Sequence, residues 1–183
     1  MYGLVNKALE QMIIESYGDK SWKAIKDKAD DDINVFISNI SYPDDITYKL
    51  VGAASAELNI EAGILLYDFG KYWVLKTGAQ SYRSLFEAAG STLKEFLLKL
   101  QDFHARVMLY YPNLTPPTFF IENIQDKSLD VHYMSHRKGL TEFVRGLLDG
   151  LAEYYETNIH VEAFSGPDGP MSHDIFHIKF IDG

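Results

Sequence analysis

Residues 92–124 read TLKEFLLKLQDFHARVMLYYPNLTPPTFFIENI, and within them the chain changes its structural period. Leu93, Phe96, Leu97, Leu100, Phe103, Val107, Met108 and Tyr111 recur at helical spacing. Thr92 and Glu95 have the spacing of a capping box, in which hydroxyl and carboxylate each satisfy an orphan backbone donor. Pro112 ends the helix, because proline cannot continue the hydrogen-bond ladder. Pro116 and Pro117 stiffen the connection, and 118–124 reads as a strand.

Upstream of this stretch the reading is helical throughout. Leu4, Val5, Ala8, Leu9, Met12 and Ile13 define a first helix, and a second runs over 22–29. Asp44 and Asp45, after Pro43, open a third. A longer, more apolar helix spans 61–77, and a short one at 81–89 closes at Gly90. Downstream, strands are expected at 129–135, 159–164 and 175–181, with a helix over 139–155 and a Gly/Pro loop at 165–173. The expected fold class is α+β. A helical N-terminal part, 1–112, packs on a β-β-α-β-β part, 113–183, with a four-stranded antiparallel sheet, the whole forming one domain of 183 residues.

Apolar residues make up 46% and aromatics 14%, enough for a packed core. A formal net charge of −9 argues against nucleic acid or an anionic membrane as partner, since phosphate binding needs clustered Lys and Arg. There is no cysteine. That removes disulfides, thiolate metal sites, cysteine nucleophiles and thioether attachment of haem. With no signal-peptide core and no run long enough to span a bilayer, the expected location is cytoplasmic. The chain stops at Gly183 with no output domain, so any signal is expected to pass to a separate protein.

His104 falls on the apolar row 96–100–104–108. A histidine in such a stripe is more often a hydrogen-bonded core residue than a ligand. A neutral imidazole among Leu100, Phe103, Val107 and Met108 can nevertheless offer a lone pair to iron while its other nitrogen bonds a carbonyl. About 30 residues on comes Tyr133-Met134-Ser135-His136-Arg137. Strand alternation points Leu129, Val131, Tyr133, Ser135 and Arg137 one way, and the polar trio spans about 13 Å. Two hydroxyls and a guanidinium in a row suit an elongated dianion, although a surface row at a strand end has the same look. His132, His136, His160, His173 and His177 are weaker candidates. An i, i+4 metal clamp needs a helix, and 173–177 reads as loop and strand.

Together these residues resemble the haem nitric oxide/oxygen-binding (H-NOX) family, bacterial stand-alone members related to the haem domain of soluble guanylate cyclase. The resemblance runs over the whole chain. It rests on Met1-Tyr2-Gly3-Leu4-Val5-Asn6, Phe69-Gly70 with Tyr72-Trp73, Phe103-His104-Ala105-Arg106, Pro116-Pro117, Tyr133-x-Ser135-x-Arg137, and Gly146-Leu147-Leu148 with Gly150. The resemblance implies non-covalent haem b with ferrous iron, His104 as proximal ligand, and Tyr133, Ser135 and Arg137 on the haem carboxylates. It implies that Pro117 presses the porphyrin out of plane, and that Leu4, Val5, Trp73, Phe143 and Leu147 line the distal side. Oxygen-binding members place a distal tyrosine where Phe143 stands here; a one-residue slip would put Glu142 there. The implied function is a sensor that binds nitric oxide, and carbon monoxide also, and discriminates against oxygen. Release of His104 would signal to a histidine kinase or a cyclic-di-GMP enzyme. Two rival readings are a haem enzyme of peroxidase type, for which no distal His or Arg can be placed, and a haem-free interaction module.

Overall fold

Helices carry the chain to Tyr110 and strands take over at Thr118, in a computed structural model that describes residues 1–29, 33, 35–111, 115–167 and 169–181. Pro112, the expected helix stop, lies outside the described residues. The backbone forms two compact units, Met1–Phe69 and Gly70–Gly183.

The first unit holds α1 (Gly3–Tyr17), α2 (Asp19–Ala29), α3 (Asp44–Leu58) and the start of α4 (Ala62–Tyr72). Ala8, Leu9, Met12 and Ile13 form the buried face of α1. Asn6 is fully buried on the same helix, where its Oδ1 accepts from Thr47 Oγ1 of α3 at 2.6 Å. The chain entry is pinned by the N-terminal ammonium, which donates to Asp44 and to the Tyr42 carbonyl.

The second unit continues α4 into a π-helical turn, Trp73–Gly78, followed by α5 (Ala79–Ser81), α6 (Arg83–Ala89), α7 (Leu93–Leu98) and α8 (Leu100–Tyr110). Then come β1 (Thr118–Glu122), β2 (Ser128–Ser135), α9 (Thr141–Tyr154), β3 (Ile159–Ser165) and β4 (Ser172–Phe180). The sheet order is β1-β2-β4-β3, antiparallel throughout, with Tyr133 opposite Phe119 on one side and Asp174 on the other. The helical part and the four-stranded antiparallel sheet stand as expected. Alternation builds the core: Leu129, Val131 and Tyr133 of β2 point inward with Phe176 and Ile178 of β4. Val144, Leu148 and Leu151 of α9 belong to the same cluster.

Three details differ from the sequence reading. The expected single helix over 93–111 is two, broken at Lys99, where φ is −107° and ψ 13°. There the Lys99 amide donates to the Phe96 carbonyl, three residues back, which tightens the turn between α7 and α8. His173 lies in β4 rather than in the preceding loop. Arg137 does not extend the β2 row, because the strand stops at Ser135.

Candidate functional site

His104 is set by the first turns of α8. Its Nδ1 donates to the Leu100 carbonyl one turn earlier, at 2.9 Å. A carbonyl only accepts, so the proton sits on Nδ1 and the lone pair on Nε2. No hydrogen bond to a described residue engages Nε2. Burial holds the imidazole's pKa below its ordinary value, more strongly than the Leu100 bond raises it, so the ring is neutral at pH 7. Protein atoms crowd the ring closely enough for that, yet the residue keeps accessible surface. Phe119 stacks on the imidazole, with centroids 5.0 Å apart and planes at 29°. Phe103 meets it edge-on at 5.6 Å.

Among the described residues no group of three or more His, Cys, Asp or Glu side chains is arranged to hold a metal. A macrocycle supplies a metal's other ligands itself and asks the protein for one imidazole of this kind. A neutral imidazole with a fixed tautomer, an available Nε2 lone pair and aromatic neighbours fits the axial position of such a group.

The candidate anchors lie on β2 and just beyond it. Tyr133 and Ser135 are buried on the inner face. Ser135 Oγ accepts from the Arg137 amide at 3.1 Å, which turns the chain as it leaves the strand. Arg137 Nη1 donates to the Thr115 carbonyl at 2.9 Å. That bond ties the guanidinium to the Thr115-Pro116-Pro117 approach to β1, so Arg137 and the half-buried Pro117 belong to one locality.

The residues expected on the distal side divide between the units. Leu4 and Val5 are half-buried on α1 in the first. Trp73, Phe143 and Leu147 are half-buried in the second. Gly70 brings α4 against α9: a Cβ there would stand 2.1 Å from the Phe143 carbonyl oxygen and 2.8 Å from the Leu147 nitrogen. A Cβ at Gly150 would meet the Val74 side chain at 3.0 Å, so the crossing continues one turn further. Only glycine allows backbones this close. Glu142 receives Arg145 Nη1 on both carboxylate oxygens, at 3.1 and 3.2 Å, and is engaged along its own helix.

The other sheet face carries a polar network without evident demand for it in the sequence. His132 Nδ1 lies 3.0 Å from His173 Nε2, and the His132 ring stacks on Phe120 at 4.3 Å. His177 donates to Asp130, which also accepts from Asn123 Nδ2. Neither Phe119 nor Gln101, whose Oε1 accepts from the Phe119 amide at 3.3 Å, stands out in the sequence. An apolar strand residue and a surface glutamine look like ordinary packing, and only the stop at Pro117 marks where β1 must begin.

Comparison with known proteins bears on this arrangement. The family model described as Haem-NO-binding matches residues 2–163. Soluble guanylate cyclase gcy-31 of Caenorhabditis elegans is 24% identical over 182 residues, which is 98% of this chain and 26% of that protein. The chain spans about a quarter of the length of the curated relatives it matches. The fold is shared with a Cs H-NOX mutant carrying 4-cyano-L-phenylalanine at site 5, at TM-score 0.89 and 20% identity over 100% of this chain and 97% of that one. It is shared also with an H-NOX protein from S. oneidensis in the Fe(II)NO ligation state, at TM-score 0.86 and 19% identity, with both chains fully covered.

Proposed function

The chain belongs to the haem-NO-binding family, and from that membership we propose that it is a haem-based sensor of nitric oxide that signals by letting go of His104. The observation that carries this reading is the His104 imidazole, neutral, fixed by Leu100 and offering Nε2 without a competing hydrogen bond to a described residue. The cofactor in this reading is haem b, ferrous and non-covalent, in keeping with a chain that has no cysteine to form thioether links. His104 is its protein ligand. Tyr133, Ser135 and Arg137 would hold its carboxylates, and Pro117 would bear on the ring from the approach to β1.

When bound, ferrous haem would supply a coordination position for nitric oxide and, once the gas is bound, a weaker hold on His104. The remaining steps belong to the protein. Within the second unit, Phe143 and Leu147 give the distal side its apolar character, beside the Trp73 indole. A phenyl ring at 143 has no proton to donate. Bound oxygen carries partial negative charge and needs a donor to be held, whereas nitric oxide and carbon monoxide do not. In this reading Phe143 rather than Glu142 is the distal residue, since Glu142 is paired with Arg145, and discrimination against oxygen requires that the Trp73 indole N–H does not reach the bound gas. On release, His104 keeps its Nδ1 bond to Leu100, so the change passes to α8 as a movement of the helix rather than as free rotation of one side chain. A partner that distinguishes the two positions of α8 reads the signal. We assign that partner to the signalling enzymes of a bacterial cytoplasm, a histidine kinase or a cyclic-di-GMP enzyme.

The test is the visible absorption spectrum of the reduced protein under argon, in air and with nitric oxide. A haem spectrum that changes with nitric oxide and is the same in air as under argon supports the reading. A colourless protein that ignores added haem overturns it.

A further inference from the structure

Phe119 touches both His104 and Tyr133. Its ring stacks on the imidazole at 5.0 Å and lies 5.4 Å from the phenol, tilted by 50°. The two outer members sit on different elements, α8 and β2, and Phe119 comes from a third, β1. It is the direct cross-strand partner of Tyr133, and only 7% of its surface is exposed. Its amide is tethered to Gln101, three residues before His104 on α8. The ring is thus held by strand register on one side and by a hydrogen bond to the ligand's own helix on the other.

An imidazole bonded through Nδ1 alone can still rock about that bond. A flat aromatic face pressed on one side removes the rocking and fixes the direction of the Nε2 lone pair. We propose that Phe119 is a positioning residue for the iron ligand: its ring holds the His104 imidazole in the ligating orientation and, as α8 moves, passes the displacement of that imidazole to Tyr133 across the β1–β2 ladder. This rests on the haem reading above, and it adds the route by which the ligand and the carboxylate anchor feel each other.

The experiment uses the full chain, haem-loaded and reduced. Resonance Raman spectroscopy reads the iron–histidine stretching band and the haem-carboxylate bending band. Stopped-flow absorbance reads the rate at which histidine is lost after nitric oxide is added. Phe119→Leu keeps apolar bulk but removes the flat face. Its iron–histidine band is expected to fall in frequency, its carboxylate band to move, and histidine loss to be roughly 2- to 10-fold faster, the worth of one aromatic stack. Phe119→Tyr keeps the face and stays with the wild type. Phe86→Leu is the packing control, because Phe86 meets Phe103 at 5.3 Å in the same core; it leaves both bands in place.

Wild-type positions of both bands in haem-loaded Phe119→Leu overturn the proposal. So does an equal shift in Phe86→Leu. If Phe119→Leu does not load haem, Gln101→Met carries the test: it drops the amide tether, keeps the ring, and is expected to shift the bands less in the same direction, while no shift overturns the proposal. A wild-type protein with no iron–histidine band sinks the haem reading itself, whereas a normal band that ignores Phe119 sinks only this assignment.

Discussion

In the proposed reading a single nitrogen, Nε2 of His104, decides the chemistry, because the hydrogen bond from Nδ1 to Leu100 leaves it as the ring's only Lewis base. Replacing the residue therefore tests more than packing. His104→Gly is expected to bind haem poorly unless imidazole is added to fill the vacated volume, measured by haem titration with and without imidazole. Normal, stable haem loading in this variant would remove the ligand assignment. Phe143→Tyr asks about the opposite side. If a phenol at 143 reaches the bound gas, the reduced protein gains oxygen affinity and its spectrum in air departs from that under argon. Identical spectra in the two atmospheres would mean that position 143 does not face the ligand. His104 was legible because a titratable residue inside an apolar row is conspicuous. Phe119 was not, since the value of a ring in a strand depends on which neighbour the fold stacks against it.

At the scale of elements, periodicity and punctuation located the helices and strands, and hydrogen-bond detail set their ends. The Thr92–Glu95 cap is one case. Glu95 N donates to Thr92 Oγ1 at 3.2 Å as expected, and the Glu95 carboxylate accepts chiefly from the amide and hydroxyl of Ser91, with the Thr92 amide a smaller contributor. The Ser91 amide, then its hydroxyl, hold this carboxyl below the ordinary 4.5. A lowered carboxylate pKa contributes stability that is complete above the unfolded value and lost as pH falls through the folded one. Denaturation midpoints of wild type and Glu95→Gln should therefore differ above pH 4.5 and converge below it; a gap that persists unchanged in acid would mean the charge is not its source. The break at Lys99 was hidden for a related reason. An unbroken apolar period says which face is buried, and it is silent on whether one amide reaches three residues back or four. Gly70 and Gly150 stood in the sequence only as residues of the family resemblance, and their close approach to α9 and to Val74 became visible with the fold. Gly70→Ala should lose about 1–3 kcal/mol, because the Phe143 carbonyl 2.1 Å from the new methyl is backbone and cannot step aside. Gly52→Ala, in α3 with nothing within 4 Å of the new methyl, should gain about 0.5–1 kcal/mol. Thermal midpoints moving in opposite directions would confirm that the first glycine serves contact and the second does not.

For the molecule as a whole, the question is how far cofactor binding stabilises the fold. The proposed iron ligand, His104, and all three proposed carboxylate anchors lie in Gly70–Gly183. Any species that binds the native state and not the unfolded chain adds RT ln(1 + [L]/Kd), about 4 kcal/mol at a thousandfold excess over Kd. A change of 1 kcal/mol moves the midpoint of a chain of this size by about 2–4 °C, so haem should raise it by roughly 8–16 °C. The helices of Met1–Phe69 have their own buried apolar face on α1 and their own α1–α3 hydrogen bond between Asn6 and Thr47. Calorimetry of the haem-loaded and haem-free protein can therefore distinguish two outcomes. If the units melt together, one transition moves by the full amount. If they melt separately, the transition of the second unit moves. Either way, His104→Gly should shrink the shift, because the variant keeps the carboxylate anchors and loses the metal bond. A haem-dependent shift of full size in that variant would mean that the macrocycle is held by its edges alone, and that release of the histidine cannot be the event that moves α8.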